Sequence, residues 1–216
     1  MVFGNKILQG NTVVPITFVQ TGSMGESTAA TVSIPYTVTP TSGNLLVAFL
    51  FPYAGGTLPA NITAPGWTWH SSNPDTYLEI HFLTKISDGT ETGSVTFTSD
   101  IALSRFFGVM VEYSGVSTGI ISSDMSNARS NSSTDLFNND SLPINNNSMY
   151  LACFGTTNTT IPADTPGNYI KRLNAVGSLN GIMIWDCYAI TNDIEDGDIT
   201  TGVSSSFCIM AGCIIK

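Results

Sequence analysis

Leu45-Leu46-Val47-Ala48-Phe49-Leu50-Phe51 follows Gly43-Asn44 and runs into Pro52. An apolar run of this length between turn-forming residues suits a buried strand and is too short for a core helix. Having no polar face, it belongs at the centre of a sheet or in an intermolecular contact. Further along, Ser94-Val95-Thr96-Phe97-Thr98 alternates apolar and polar side chains, as a half-exposed strand requires. Runs of the same kind, rich in Val, Ile, Phe, Tyr and Thr, recur between Gly, Pro, Asn and Asp. They predict strands at Ile16–Thr21, Ala30–Tyr36, Leu45–Phe51, Trp67–Ser71, Leu78–Lys85, Ser94–Thr98, Phe106–Ser114, Gly119–Met125, Met149–Phe154, Tyr169–Asn174, Gly181–Ile190 and Ser206–Ile215. Helical periodicity is nearly absent. The expected fold class is all-β, an antiparallel two-sheet sandwich.

Composition agrees. The 216 residues are 42% hydrophobic and only 11% charged, so the chain can bury a sizeable core and is too apolar to be disordered. A formal net charge of −9, with seven Lys and Arg in all, argues against binding nucleic acid. Met1-Val2-Phe3-Gly4-Asn5-Lys6 lacks the apolar run of a signal peptide, and no segment is long enough to span a membrane as a helix. The expectation is a chain that folds in a cytoplasm and has no membrane partner. Cys153, Cys187, Cys208 and Cys213 lie in apolar strand runs without CxxC spacing, so they are expected to be buried free thiols and not zinc ligands.

The order of motifs suggests an internal duplication at an offset of roughly 100 residues, too long for a solenoid repeat. Gly43–Ala48, Ala64-Pro65-Gly66-Trp67, Phe82-Leu83-Thr84, the acidic turn Asp88–Glu91 and Glu112-Tyr113-Ser114-Gly115 occur in that order. They are followed by Ser148–Ala152, Thr165-Pro166-Gly167-Asn168-Tyr169, Cys187–Thr191, Asp196-Gly197-Asp198 and the last strand. The halves, 16–125 and 148–216, are expected to bury their apolar faces against each other in one sandwich domain, 16–216. The Asn-rich segment 126–147 reads as an exposed crossover loop, and residues 1–15, carrying Phe3, Ile7 and Leu8, as an N-terminal arm or equally as a simple edge strand or frayed terminus.

Gly43–Ala48, Pro65-Gly66-Trp67, Leu83-Thr84-Lys85 before the acidic turn and Tyr113-Ser114-Gly115-Val116, in that order, resemble a jelly-roll-like β-sandwich module of phage virion proteins and bacterial surface proteins. The upstream strands Thr17–Gln20 and Thr31–Pro35 fit it too. The resemblance implies a capsid-surface, tail or fibre role, sometimes with glycan binding, and brings no catalytic residues.

Candidate chemistry is sparse. Asp193, Glu195, Asp196 and Asp198 could converge on a hard cation, but lack the full EF-hand spacing and its closing Glu; the plainer reading is a solvated hairpin turn. Glu79 and His81 share a strand face, yet no nucleophile motif accompanies them, and they read as polar residues on an exposed face. Trp67, Trp69, Tyr53 and Tyr77 could form a stacking platform for a sugar, although Trp67 at a strand start also suits a core.

The resulting expectation is a non-enzymatic structural protein of a phage virion, without cofactor, anchored through its arm as a capsid decoration or cement protein. Its partners would be the major capsid or a tail protein and further copies of itself, a trimer being favoured because the all-apolar strands ask for a covering subunit. The alternative is a tail-fibre or receptor-binding module that holds a surface glycan.

Overall fold

The computed structural model describes residues 14–73, 78–117, 120–122, 128–130, 136–137, 142–143, 148–159, 161, 169–189, 194–195, 199–200 and 208–216. These residues form no helix. In the first half the strands are β1 (Thr17–Thr21), β2 (Gly25–Ser27), β3 (Thr31–Pro35), β4 (Leu45–Tyr53), β5 (Ile62–Thr63), β6 (Thr68–Asn73), β7 (Ile80–Ile86), β8 (Ser94–Ser99) and β9 (Arg105–Ser114). In the second half they are β10 (Ile120–Ser122), β11 (Ala128–Ser130), β12 (Leu136–Phe137), β13 (Leu142–Pro143), β14 (Ser148–Thr156), β15 (Ile170–Val176), β16 (Gly181–Ala189), β17 (Ile194–Glu195), β18 (Ile199–Thr200) and β19 (Cys208–Ile215).

Antiparallel pairing gives two six-stranded sheets. Sheet 1 runs β1-β9-β4-β7-β6, with β2 also on β9; sheet 2 runs β10-β19-β14-β16-β15, with β11 also on β19. A three-stranded sheet 3 runs β3-β8-β5, and β12 with β18 and β13 with β17 form two short pairs. Sheets 1 and 2 thus have matching strand orders. In each, the last strand lies between two tandem edge strands and the long strand that opens with Leu45 or Ser148.

The all-apolar character of β4 follows from its place in the stack. Leu45, Val47, Phe49 and Phe51 point into a core shared with Met149, Leu151 and Cys153 of β14 and Ile182 and Ile184 of β16. Leu46, Ala48 and Leu50 point the other way, onto Val32 and Ile34 of β3 and Phe97 of β8. Sheet 1 is therefore an inner layer with both faces covered, and such a strand cannot alternate. The sandwich expected from the sequence is present, and sheet 3 adds a layer on its outer side. β14 is buried at every position as well, its second face in a cluster with Trp185, Met183 and Tyr169. Both strands are covered within a single chain.

Among the described residues, polar side chains tie the halves together. Tyr113 Oη donates to Asp186 Oδ2 at 2.8 Å, and Arg172 Nε donates to the same oxygen at 2.7 Å. Glu26 on β2 accepts from the Ser178 backbone N–H at 2.9 Å in the β15–β16 turn. Arg105 Nη1 donates to the carbonyls of Thr157 at 2.6 Å and Leu179 at 3.1 Å. Where the Phe51 ring of β4 meets β14, a Cβ on Gly155 would overlap it, so only glycine fits there.

Segment 126–147 departs from the expected loop. β11 pairs with β19, β12 with β18 and β13 with β17, so it carries three short strands. A backbone ladder needs no apolar majority, which is why an Asn-rich composition concealed them. The acidic stretch is likewise not a bare turn, since Glu195 lies in β17 opposite Leu142. Phe3, Ile7, Leu8, Tyr77, Asp193, Asp196 and Asp198 lie outside the described residues.

Candidate functional site

Ala64-Pro65-Gly66-Trp67 forms a tight turn. Proline suits its second position, Gly66 takes φ of 77° at the third, and the Trp67 N–H closes it on the Ala64 carbonyl at 3.1 Å. This is the type II pattern, which requires a residue tolerant of positive φ at that point. The turn delivers Trp67, half-buried, against Phe97 in an edge-to-face contact with ring centroids 5.1 Å apart.

Trp67 lines an open groove of about 350 Å³ at the rim between sheets 1 and 3, together with Tyr36, Pro65, Lys85, Glu91 and Thr96. Glu91 organises the turn after β7. Its carboxylate accepts from Ser87 Oγ at 2.8 Å, the Gly89 N–H at 3.1 Å and the Asp88 N–H at 3.2 Å, and pairs with Lys85 Nζ at 2.8 Å. Burial alone would raise its pKa, but the donors from Lys85, Ser87 and Asp88 outweigh it and hold Glu91 at about 2. Burial, reinforced by the charges of Glu91 and Asp88, pushes the Tyr36 phenol up to about 12. At neutral pH the groove therefore presents a carboxylate, an ammonium paired to it, a protonated phenol and an indole. Such a set can bind a ligand; it holds no nucleophile with a free base beside it.

Of the four aromatic residues expected to form one platform, Tyr77 lies outside the described residues, and Tyr53 packs on the other side of sheet 1 from Trp67 and Trp69. Trp69 stands opposite Leu83 on the side of sheet 1 that faces sheet 3, 46% exposed, and its Nε1 donates to His81 Nδ1 at 3.2 Å. Tyr53 packs instead with the core between sheets 1 and 2, the Arg105 guanidinium 5.8 Å from its ring centre.

Glu79 and His81 are not on an exposed face. They are 3% and 0% exposed, and His81 Nε2 lies 2.9 Å from Glu79 Oε2. With Nδ1 accepting from Trp69, the ring proton belongs on Nε2, facing the carboxylate. A base sealed in this way cannot reach a substrate. Cys153 and Cys213 are buried free thiols, which burial pushes well above the ordinary thiol range, and Cys187 is buried too. Among the described residues, no cluster of three or more His, Cys, Asp or Glu could hold a metal.

No protein-family model, no curated protein and no solved structure matches this chain.

The short motifs nonetheless acquire physical meaning. Gly43 takes φ of 86° in the turn before β4, and Asn44 Nδ2 donates to the buried Glu112 at 2.5 Å. Lys85 closes the acidic turn through Glu91, and Tyr113 reaches across to Asp186. Sequence reasoning passed over Tyr36, Lys85 and Glu91 as groove residues. The signal available for Lys85 and Glu91 was Leu83-Thr84-Lys85 just ahead of the acidic turn.

Proposed function

We propose that the chain is a non-enzymatic structural protein of a phage particle surface, a capsid decoration or cement protein built as a doubled jelly roll. The observation that carries the non-enzymatic part is the engagement of its buried carboxylates in structural contacts. Glu91 caps a turn, Asp186 ties the sheets, Glu79 is sealed against His81, and Glu112 accepts from Gln20, Asn44 and the Thr41 N–H. Carboxylates so occupied stiffen a fold and are poorly placed for proton transfer to a substrate.

The jelly-roll reading draws on strand order. The path β1-β9-β4-β7 with β3-β8-β5 packed over it follows the interleaving of two Greek keys. The matching order of sheet 2 supports a duplication. The placement on a virion rests on the resemblance in motif order, with the major capsid protein or a tail protein as partner and residues 1–15 as the anchoring arm. Density-gradient fractionation of the source's phage lysate tests it. Co-sedimentation with intact particles is the expected result, and recovery only in the soluble fraction overturns the reading.

A second reading, a tail-fibre or receptor-binding module, is favoured by one observation, the groove at Trp67.

A further inference from the structure

We propose that the groove between sheet 3 and the turn after β7 binds a neutral pyranose sugar seated on Trp67. The proposal deepens the second reading of function and rests on it.

The platform is preorganised. Trp67 is fixed from behind by the Pro65-Gly66 turn and from the side by Phe97, so little side-chain freedom is left to lose on binding. The aliphatic stem of Lys85 passes close to Gly66, within 3.7 Å of where a Cβ would stand, so Lys85 lines the groove next to the turn that carries Trp67. An apolar ring face bordered by hydroxyl and ammonium groups matches a pyranose, whose axial hydrogens make one face apolar while its hydroxyls ring the edge. The volume of about 350 Å³ falls at the lower end of the roughly 300–1,000 Å³ expected for small-ligand sites.

Charge decides between neutral and anionic ligands. Lys85 is already paired with Glu91 at 2.8 Å and has Asp88 at 3.9 Å, so the groove offers no uncompensated cation. With two carboxylates at this point and a formal net charge of −9, a phosphate or a sialic acid would be repelled. A neutral sugar can still use the remaining ammonium protons, the Tyr36 hydroxyl and the exposed hydroxyls of Thr92 and Ser94 as partners.

The test is titration of the full chain with methyl α-glucopyranoside, methyl α-mannopyranoside, methyl β-galactopyranoside, N-acetylglucosamine and N-acetylneuraminate. Saturation-transfer NMR and tryptophan fluorescence are the readouts. At least one neutral sugar should bind saturably, with Kd on the order of millimolar. Trp67→Ala should weaken it at least about tenfold. Since that variant also trims packing against Phe97, Thr92→Trp, which fills the groove from an exposed position, should abolish binding with an unchanged circular dichroism spectrum. Trp69→Phe should bind like the parent. Binding that survives both Trp67→Ala and Thr92→Trp would keep a sugar-binding role for the chain while overturning this groove as its site. Preference for N-acetylneuraminate over every neutral sugar would overturn the ligand class, and no saturable binding to any probe would overturn the proposal altogether. A tail location on purified particles, found independently, would leave the receptor-binding reading standing in that last case.

Discussion

The phenol of Tyr113 on β9 and the carboxylate of Asp186 on β16 meet at 2.8 Å between the two six-stranded sheets, with both side chains buried. Burial first, and then the neighbouring Asp186 charge, push the Tyr113 phenol well above its ordinary range, so it stays a donor at any pH the fold survives. Arg172 shares the carboxylate and lays its guanidinium 4.5 Å from the ring centre of Phe18. Tyr113→Phe should therefore cost about 1–3 kcal/mol, because it removes one charge-assisted bond. Asp186→Ala should cost more, about 3–5 kcal/mol, because it leaves an arginine and a phenol without their acceptor. Urea midpoints of the two variants and their double mutant check this, and a double mutant equal to the sum of the singles would contradict the coupling.

Gly155→Ala tests how closely the sheets approach. Its methyl would overlap the Phe51 ring, which is itself fully buried and stacked on Phe107 with centroids 5.0 Å apart. Overpacking of this kind costs about 1–3 kcal/mol. Phe51→Leu in the same chain should recover part of the loss, giving a combined effect smaller than the sum, read from thermal or urea unfolding.

The turn after β7 makes stability depend on pH. Glu91 is held at about 2 in the folded chain against 4.5 for a free carboxyl. A carboxyl depressed in this way stabilises the fold above its unfolded value, and the contribution is lost as pH falls from about 4.5 towards 2. Between about pH 5 and about pH 2.5 the parent should lose more stability than Glu91→Gln, read as melting temperature. At pH 7 the variant should be the less stable by about 1–2 kcal/mol. Parallel pH profiles for the two proteins would contradict the assignment.

The thiols should be inert in the folded state. Cys153 and Cys213 are 0% exposed in the core between sheets 1 and 2. Melting temperatures with and without reductant should agree, and a thiol-specific reagent should modify these two residues only at the rate of unfolding. Native disulfides found by mass spectrometry would contradict the burial of free thiols.

Much of the fold was legible because each main strand carries its own apolar signature. Leu45–Phe51 and Met149–Phe154 announce themselves by composition, and Ser94–Thr98 by alternation. The elements that escaped lack any such signature. Gly25–Ser27 is held by pairing to Phe106–Gly108, and Ala128–Ser130 by pairing to Cys208–Met210, both far away in the chain. Alternation correctly placed Glu79 and His81 on one side of their strand. Whether that side meets water depends on sheet 3, which periodicity within the strand cannot register. The groove was half legible: Pro65-Gly66-Trp67 marked its aromatic wall, while Lys85 and Glu91 looked like an ordinary solvated turn until the buried carboxylate was placed beside Trp67.

The proposed role, a structural protein decorating a phage capsid, is read out by its copy number in purified particles, measured by quantitative mass spectrometry against the major capsid protein. A decoration protein follows the symmetry of the shell, so copies on the order of hundreds per particle are expected. A few tens or fewer would place the chain on the tail and favour the receptor-binding reading, and its absence from the particle would contradict both.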